Sequence, residues 1–304
     1  MPVWTGFAED YHRHVVPFTS LFAKDVVALA KPGLEDFVEK NSKRPVVLDV
    51  ASGTGSLVRE LFVLLGDGGD GDGVSLEKVI ALEPAADMAA LIPSTVAAAV
   101  QTDGNTHLQI CNGAAEQIPL ESDSVDFVFC VFGLSFFEDV RTAFSEIKRV
   151  LRKGTGRFFV CEWCEPSQTP AFTIMGEVKK RMAGETVDPS DPDAWMECAP
   201  TRRVEHVKKI AAEAGLSMTR CVEVGHDLCL PNFEAFWERM TKGTLQTRRM
   251  TEGMSPAECD KFKEMTRTVV AERHGRKQDE KERDQAEGEF RQEARARILE
   301  IILC

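Results

Sequence analysis

The stretch Val46-Val47-Leu48-Asp49-Val50-Ala51-Ser52-Gly53-Thr54-Gly55-Ser56-Leu57 decides the reading of this chain. Its first five residues are a short β-branched run, apolar except for Asp49. Two glycines follow, and then Leu57, Leu61 and Leu64 recur at helical spacing. Strand, tight turn and helix in that order open a parallel α/β unit. The glycines let the backbone turn sharply and approach a ligand that a side chain would block. The helix that starts near Gly55 offers unpaired N–H groups and a positive dipole end, suited to a carboxylate or phosphate. A dinucleotide site and a turn with no ligand are both compatible with these residues alone.

Outward from this turn, strand and helix alternate. Lys78 to Glu83 is expected as the second strand, with a short helix around Ala86 to Ile92, and Thr106 to Cys111 as the third. Val125 to Phe132 is a fourth, apolar on both faces as a central parallel strand is. Val140, Phe144, Ile147 and Leu151 stripe a helix, and Arg157 to Trp163 is the fifth strand. A connection punctuated by Pro166, Pro170, Pro189, Pro192 and Pro200 leads to a helix carrying Val204, Val207, Ile210 and Ala214. Ser217 to Val224 is the sixth strand. Upstream, residues 7–30 read as one or two helices broken at Pro17; Pro32-Gly33 punctuates, and Leu34 to Val38 adds another turn or two. These units predict an α/β, doubly wound parallel sheet with helices on both faces.

The last eighty or so residues break the alternation. Asn232 to Lys242 and Ser255 to His274 read as helices, and 276–287 is almost wholly charged with both signs interleaved, the pattern of a solvated face. After Gly288, the run Arg297-Ile298-Leu299-Glu300-Ile301-Ile302-Leu303 is too apolar and β-branched to sit in solvent. Residues 295–303 are therefore expected as a seventh strand, antiparallel to its neighbours. A terminal helix packing Ile298, Ile301 and Ile302 is the alternative.

Composition narrows the function. The chain has 304 residues, 43% of them hydrophobic, with a formal net charge of −12 from 37 basic and 49 acidic residues. No basic run is free of acids, so nucleic acid is not an expected partner. No segment is apolar for long enough to cross a bilayer, and the first residues match no secretory signal. The nine cysteines are scattered. The pair Cys161 and Cys164 has no second pair at zinc-finger spacing, so reduced thiols and a cytoplasmic location are expected. The Gly/Asp-rich stretch 66–73 reads as a loop. Its aspartates lack the order and closing glutamate of a calcium loop, so no metal is expected.

The acid ending the second strand sharpens the turn's meaning. Glu83 stands at the carboxyl edge of the sheet beside the first strand, where a carboxylate accepts hydrogen bonds from the two hydroxyls of a ribose. It follows Asp49 by 34 positions, against roughly 20 in a dinucleotide fold. The insertion at 66–73 accounts for part of the excess.

With these residues in view, the chain resembles the class I S-adenosylmethionine-dependent methyltransferases. Asp49-Val-Ala-Ser-Gly-Thr-Gly55 is similar to their first motif, with Ala51 in place of its first glycine. Ala-Leu-Glu83-Pro84 followed by Met88 is similar to the second. Gly113 to Leu120, Asp123 to Leu134, and Arg149 to Phe158 resemble the later blocks. The resemblance covers about residues 45–165 and is strongest to the ubiquinone and menaquinone C-methyltransferase branch. It implies a Rossmann-like, seven-stranded, mostly parallel sheet with one antiparallel strand. The expected parts are an N-terminal helical lid at 1–44, a cofactor-binding core at 45–230, a helical insertion at 231–294 and the last strand at 295–304.

The same resemblance implies S-adenosylmethionine as cofactor. Ser52, Gly53, Thr54 and Gly55 would cradle its methionine end, and Asp49 would position the amino group. Glu83 would hold the ribose, Met88 would flank the adenine, and Ala114 and Ala115 would offer backbone groups to the adenine edge. Val131 and Phe132 would lie beneath the sulfonium. Many relatives have Asp or Asn where this chain has Ala114, so the contact to the adenine amine would come from backbone, come from Glu116, or be absent. Tyr11, His12 and His14 lie on the expected lid, and Tyr11, Phe136 and Trp163 are the candidates to wall an acceptor pocket, with Phe137 beside them. The Asp/Asn-Pro-Pro-aromatic motif of DNA amino methyltransferases is absent after strand four, which favours a small or apolar organic acceptor, methylated at carbon or oxygen. A non-catalytic cofactor-binding or scaffold protein would carry the same motifs.

Overall fold

The computed structural model describes residues 4–65, 74–98, 106–185, 200–275 and 290–304. The Gly/Asp-rich stretch, Pro189, Pro192, Gly288 and the charged run 276–287 lie outside the described residues. The elements in chain order are α1 (Ala8–His14), α2 (Val16–Asn41), β1 (Val46–Val50), α3 (Ser56–Leu65), β2 (Lys78–Leu82), α4 (Ala86–Ala89), α5 (Ile92–Ala97), β3 (His107–Cys111), β4 (Phe127–Val131), α6 (Val140–Val150), β5 (Arg157–Trp163), α7 (Pro170–Met182), α8 (Val204–Glu213), β6 (Leu216–Leu230), α9 (Phe233–Gly243), α10 (Leu245–Thr251), α11 (Pro256–Gly275) and β7 (Phe290–Leu303).

The seven strands form one sheet in the order β3-β2-β1-β4-β5-β7-β6. The first five are parallel, and β7 runs antiparallel to both β5 and β6. Side chains alternate between two core layers, as the period of two in a strand requires. Val47, Phe127, Phe129 and Phe159 face the layer built with Phe22, Val26 and Leu34 of α2 and Leu57 and Leu61 of α3. Leu48, Val128, Phe158 and Val160 face the other, with Phe144 and Ile147 of α6 and Val207 and Ile210 of α8. The chain order reverses between β1 and β4, which opens a crevice at the carboxyl ends of these strands, the usual ligand position in such sheets.

Four expectations of the sequence reading are corrected. The N-terminal helices part at Val15, and Pro17 sits inside the first turn of α2, where its missing N–H costs nothing. Pro32-Gly33 does not punctuate that helix, which is continuous through it. α2 runs on because Ala30, Leu34 and Phe37 are buried on the sheet, and Gly33 leaves room for the Arg157 guanidinium, whose Nη1 lies 3.3 Å from where a Cβ would stand. Most of α2 is thus a core helix. The proline-punctuated connection contains α7, which opens on Pro170. β7 begins at Phe290, five residues before the expected start, because Phe290, Gln292, Ala294 and Ala296 alternate inward against exposed Arg291, Glu293 and Arg295.

Several residues of the resemblance serve the fold. The fully buried Asp126 accepts from Val46 N–H at 2.9 Å and Arg152 Nε at 2.6 Å, tying β4 to β1. Arg149 donates to the carbonyls of Ile118 and Leu120 and pairs with Glu146, fixing the turn after β3. Among the described residues, no helix is long and apolar enough to cross a membrane.

Candidate functional site

The glycine turn between β1 and α3 is held in a left-handed conformation, with φ of +57° at Ala51 and Gly53 and +89° at Gly55. A Cβ on Gly55 would meet Ile92 at 3.0–3.3 Å, so this glycine lets α5 pack onto the turn. Ser52 donates to Asp49 Oδ2 at 2.5 Å. Asp49 is 1% exposed and has no ion-pair partner among the described residues. Burial, reinforced by Glu83 and opposed by the Ser52 hydroxyl, pushes its carboxyl up to about 7. A buried carboxylate of this kind calls for a cation.

Glu83, just past β2, draws two loops together. Its Oε2 accepts from Gly53 N–H at 2.8 Å and its Oε1 from Ala85 N–H at 2.9 Å. Burial raises its pKa despite these two bonds. Each oxygen keeps a lone pair for a further donor. Asn112, after β3, donates to the carbonyls of Glu83 and Pro84, both at 3.1 Å.

α1 lies across this turn. His12 Nδ1 is 3.0 Å from Thr54 Oγ1, and the Tyr11 ring reaches 4.0 Å from the point where a Gly53 Cβ would stand. Burial, then the charge of Glu83, pushes the Tyr11 phenol up to about 12, so it is neutral. Met88 is buried in a cluster with Phe7, Ala8 and Ala85, packed by Trp4 and Tyr11. Ala114 and Ala115 form the turn after β3, with Ala115 in the core and Gln117 N–H bonded to the Ala114 carbonyl. Glu116 turns away, accepting from the N–H groups of Glu138 and Asp139 at 2.7 and 3.2 Å.

Past Val131, the end of β4 makes a strained corner. Phe132 has φ of +59°, a conformation that costs a bulky residue about 1–3 kcal/mol. Its ring lies 3.8 Å from that of Trp163 at 13°, a close stack. A Cβ on Gly133 would stand 2.6 Å from Ala51 Cβ, so the corner packs directly on the glycine turn.

A cavity of about 590 Å³ opens at this corner. Tyr11, Phe132, Phe136 and Trp163 all line it, with Trp4 edge-on to Phe136 at 4.9 Å. The structure therefore brings together the three candidate acceptor residues. His14 instead gives its carbonyl to Arg239.

The cavity also contains residues that the sequence reading passed over. Glu162, next to last in β5, is 4% exposed and accepts from Ser135 Oγ at 2.8 Å, which in turn meets Thr201 Oγ1 at 2.8 Å. Burial raises its pKa, with Arg202 acting against it. Arg239 is 7% exposed and lies 5.3 Å above the Phe18 ring. An acid within an apolar strand, and an arginine three residues after Phe236 on the apolar face of α9, were the signals available. The Cys161 and Cys164 thiols are buried, and burial pushes both up, Cys164 to about 12, against the lowered pKa of a reactive thiol.

Over part of its length the chain is similar to known methyltransferase domains. Residues 48–160 match the family described as methyltransferase domain. The chain is 34% identical over 98 residues to the demethylmenaquinone methyltransferase of Streptomyces avermitilis, a match covering 32% of this chain and 42% of that protein. It is 27% identical over 181 residues to a ubiquinone/menaquinone biosynthesis C-methyltransferase of Hahella chejuensis, covering 57% and 68%. The chain thus spans about two fifths of the first relative's length. The solved structure of the YcgJ protein of Bacillus subtilis aligns over 90% of this chain and 98% of that one, with 16% identity and a TM-score of 0.48.

Proposed function

We propose that this protein transfers the methyl group of S-adenosylmethionine to a small organic acceptor at carbon or oxygen. The observation that carries this reading is the buried Asp49 carboxylate, unpaired by any cation among the described residues and set beside a left-handed glycine turn and Glu83. An ammonium group supplies the charge that Asp49 lacks. Ser52, Gly53, Thr54 and Gly55, at the N-terminal end of α3, take the carboxylate of the same methionine end. Glu83 takes the ribose hydroxyls, Met88, Ala114 and Ala115 bound the adenine, and Val131 and Phe132 lie at the sulfonium. Residues 4–14 serve as the lid and the helices α9 to α11 as the acceptor-side addition to the core. The described cysteines are free, which supports a reducing compartment such as the cytoplasm.

Bound S-adenosylmethionine supplies a methyl group on a sulfonium sulfur, which leaves with the bonding electron pair as a neutral thioether. The residues of this chain then have three tasks. The Phe132–Trp163 stack and the walls of Phe136 and Trp4 hold the acceptor in line and keep water out, and orientation of this kind contributes up to roughly 7–11 kcal/mol. Ser135 fixes the Glu162 carboxylate. Glu162 accepts the proton that the acceptor atom loses as its new bond to the methyl carbon forms.

Two measurements test the cofactor half. Glu83→Ala should weaken S-adenosylmethionine binding by about 1.5–3 kcal/mol, since it removes charge-assisted bonds to the ribose and frees Gly53 and Ala85 N–H groups. An unchanged dissociation constant by calorimetry, in a folded variant, refutes the ribose assignment. The second is a pH dependence. Below about pH 7 the free protein holds Asp49 protonated, so binding an ammonium group must expel a proton. Affinity should rise with pH, by up to about tenfold per unit, and level off above 7, with Glu83 adding to the slope because it is shifted in the same direction. Affinity that is flat from about pH 6 to 8 would remove Asp49 from the site.

A further inference from the structure

The cavity at the Phe132 corner is lined by more cationic than anionic side chains. Four cations line it, Lys179 and Arg249 at the exposed rim and Arg202 and Arg239 deeper, against the one carboxylate of Glu162. This gathering occurs in a chain of net charge −12. Glu162 does not neutralise the arginines by direct contact. Its oxygens are taken by the Ser135 hydroxyl and N–H and by Trp163 N–H. Arg202 keeps its Nε and Nη1 buried with no hydrogen-bond partner among the described residues. Arg239 gives Nη1 to the His14 carbonyl and has no carboxylate partner there, and burial pulls its pKa down to about 10. A buried guanidinium without a hydrogen-bonded anion, as at Arg239, is penalised because desolvation is not repaid, and Arg202 has the charge of Glu162 near it but no hydrogen bond to that carboxylate among the described residues. Around them stand six aromatic rings, Trp4, Tyr11, Phe132, Phe136, Trp163 and Phe172.

We infer that the acceptor is a small aromatic carboxylate, its acid group taken by Arg202 and Arg239 and its ring held among these aromatics. This rests on the methyl-transfer reading of the same cavity and replaces the apolar acceptor with an anionic one. Forked N–H donors of arginine match a carboxylate's two oxygens. With the acid end held there, the ring's reacting atom faces the Phe132 corner and Glu162.

Calorimetry on the intact protein tests this, using benzoate, salicylate and phenylacetate against benzamide, salicylamide and phenylacetamide, with and without the demethylated cofactor. At least one acid should bind at least tenfold tighter than its amide. Arg202→Gln should abolish that preference while leaving S-adenosylmethionine affinity within about twofold, a difference of roughly 0.4 kcal/mol. Arg239→Lys, which keeps the charge and loses the fork, should weaken the acid partly and guards against an unfolded Arg202 variant. Equal binding of acids and amides, binding of amides alone, or no acid binding by a protein that still takes the cofactor overturns the assignment. Acid binding by a protein that takes no cofactor keeps the anion site and instead sinks the methyl-transfer reading.

Discussion

Deletion of residues 295–304 should leave a chain that does not fold. The seventh strand lies inside the sheet, so the deletion strips the whole of β5 from Arg157 to Trp163 of its antiparallel partner and separates β6 from the sheet. It also removes Ile298, Leu299 and Ile301, each at most 2% exposed. At about 1.5–3 kcal/mol for each buried aliphatic side chain, the loss is roughly 5–9 kcal/mol, against a total stability of about 5–15. The ladder hydrogen bonds come on top. The truncated protein should be insoluble or lack a cooperative thermal transition. A soluble truncation that still binds S-adenosylmethionine would show that β7 is dispensable and that the sheet is complete without it.

Glu162→Gln should lower the rate of methyl transfer by about 10²–10⁴-fold, the usual contribution of a positioned general base. The amide keeps the bonds from Ser135 and the shape of the cavity, so cofactor affinity should hold. In the parent protein, turnover should increase with pH through the raised pKa of Glu162, because the base must be ionised to accept a proton. The variant should lack that limb. Single-turnover transfer from labelled S-adenosylmethionine to an acceptor found by screening reads both. A variant within a few-fold of the parent, or one retaining the same pH limb, would assign Glu162 to packing.

The parallel half of the sheet was legible because each strand and its following helix declare themselves locally. Val46 to Val50, Lys78 to Leu82 and Phe127 to Val131 stand out by apolar runs, and Gly53 and Gly55 mark the turn between β1 and α3. Two elements were obscured by residues whose meaning depends on position. Pro170 looked like a breaker and is the start of α7, since proline is disfavoured in a helix interior but welcome in its first turn. Phe290 to Ala294 was assigned to the helical insertion because arginine and glutamate alternate with the inward residues there, and that alternation is itself the signature of a half-exposed strand. The site divides in the same way. Asp49, the glycine turn and Glu83 lie at strand ends, where sequence order fixes their place. The cavity draws Tyr11, Phe132, Glu162, Arg202 and Arg239 from segments far apart in the chain. Nothing local distinguishes Arg239 from a surface arginine except its place among Phe236, Met240 and Gly243 on the buried face of α9.

The strand order also imposes a schedule on biosynthesis. β5 and its neighbour β7 are separated by all of α7 to α11 and β6, so about 130 residues must be translated after Trp163 before the edge of β5 can be covered. At roughly 5–20 residues per second the wait is on the order of ten seconds. Throughout it the nascent chain displays an unpaired row of N–H and C=O groups flanked by Phe158, Phe159 and Val160, the kind of edge that recruits other strands. A holdase that recognises extended apolar segments would therefore act on this protein during synthesis, and its demand would end when Phe290 to Leu303 slots between β5 and β6.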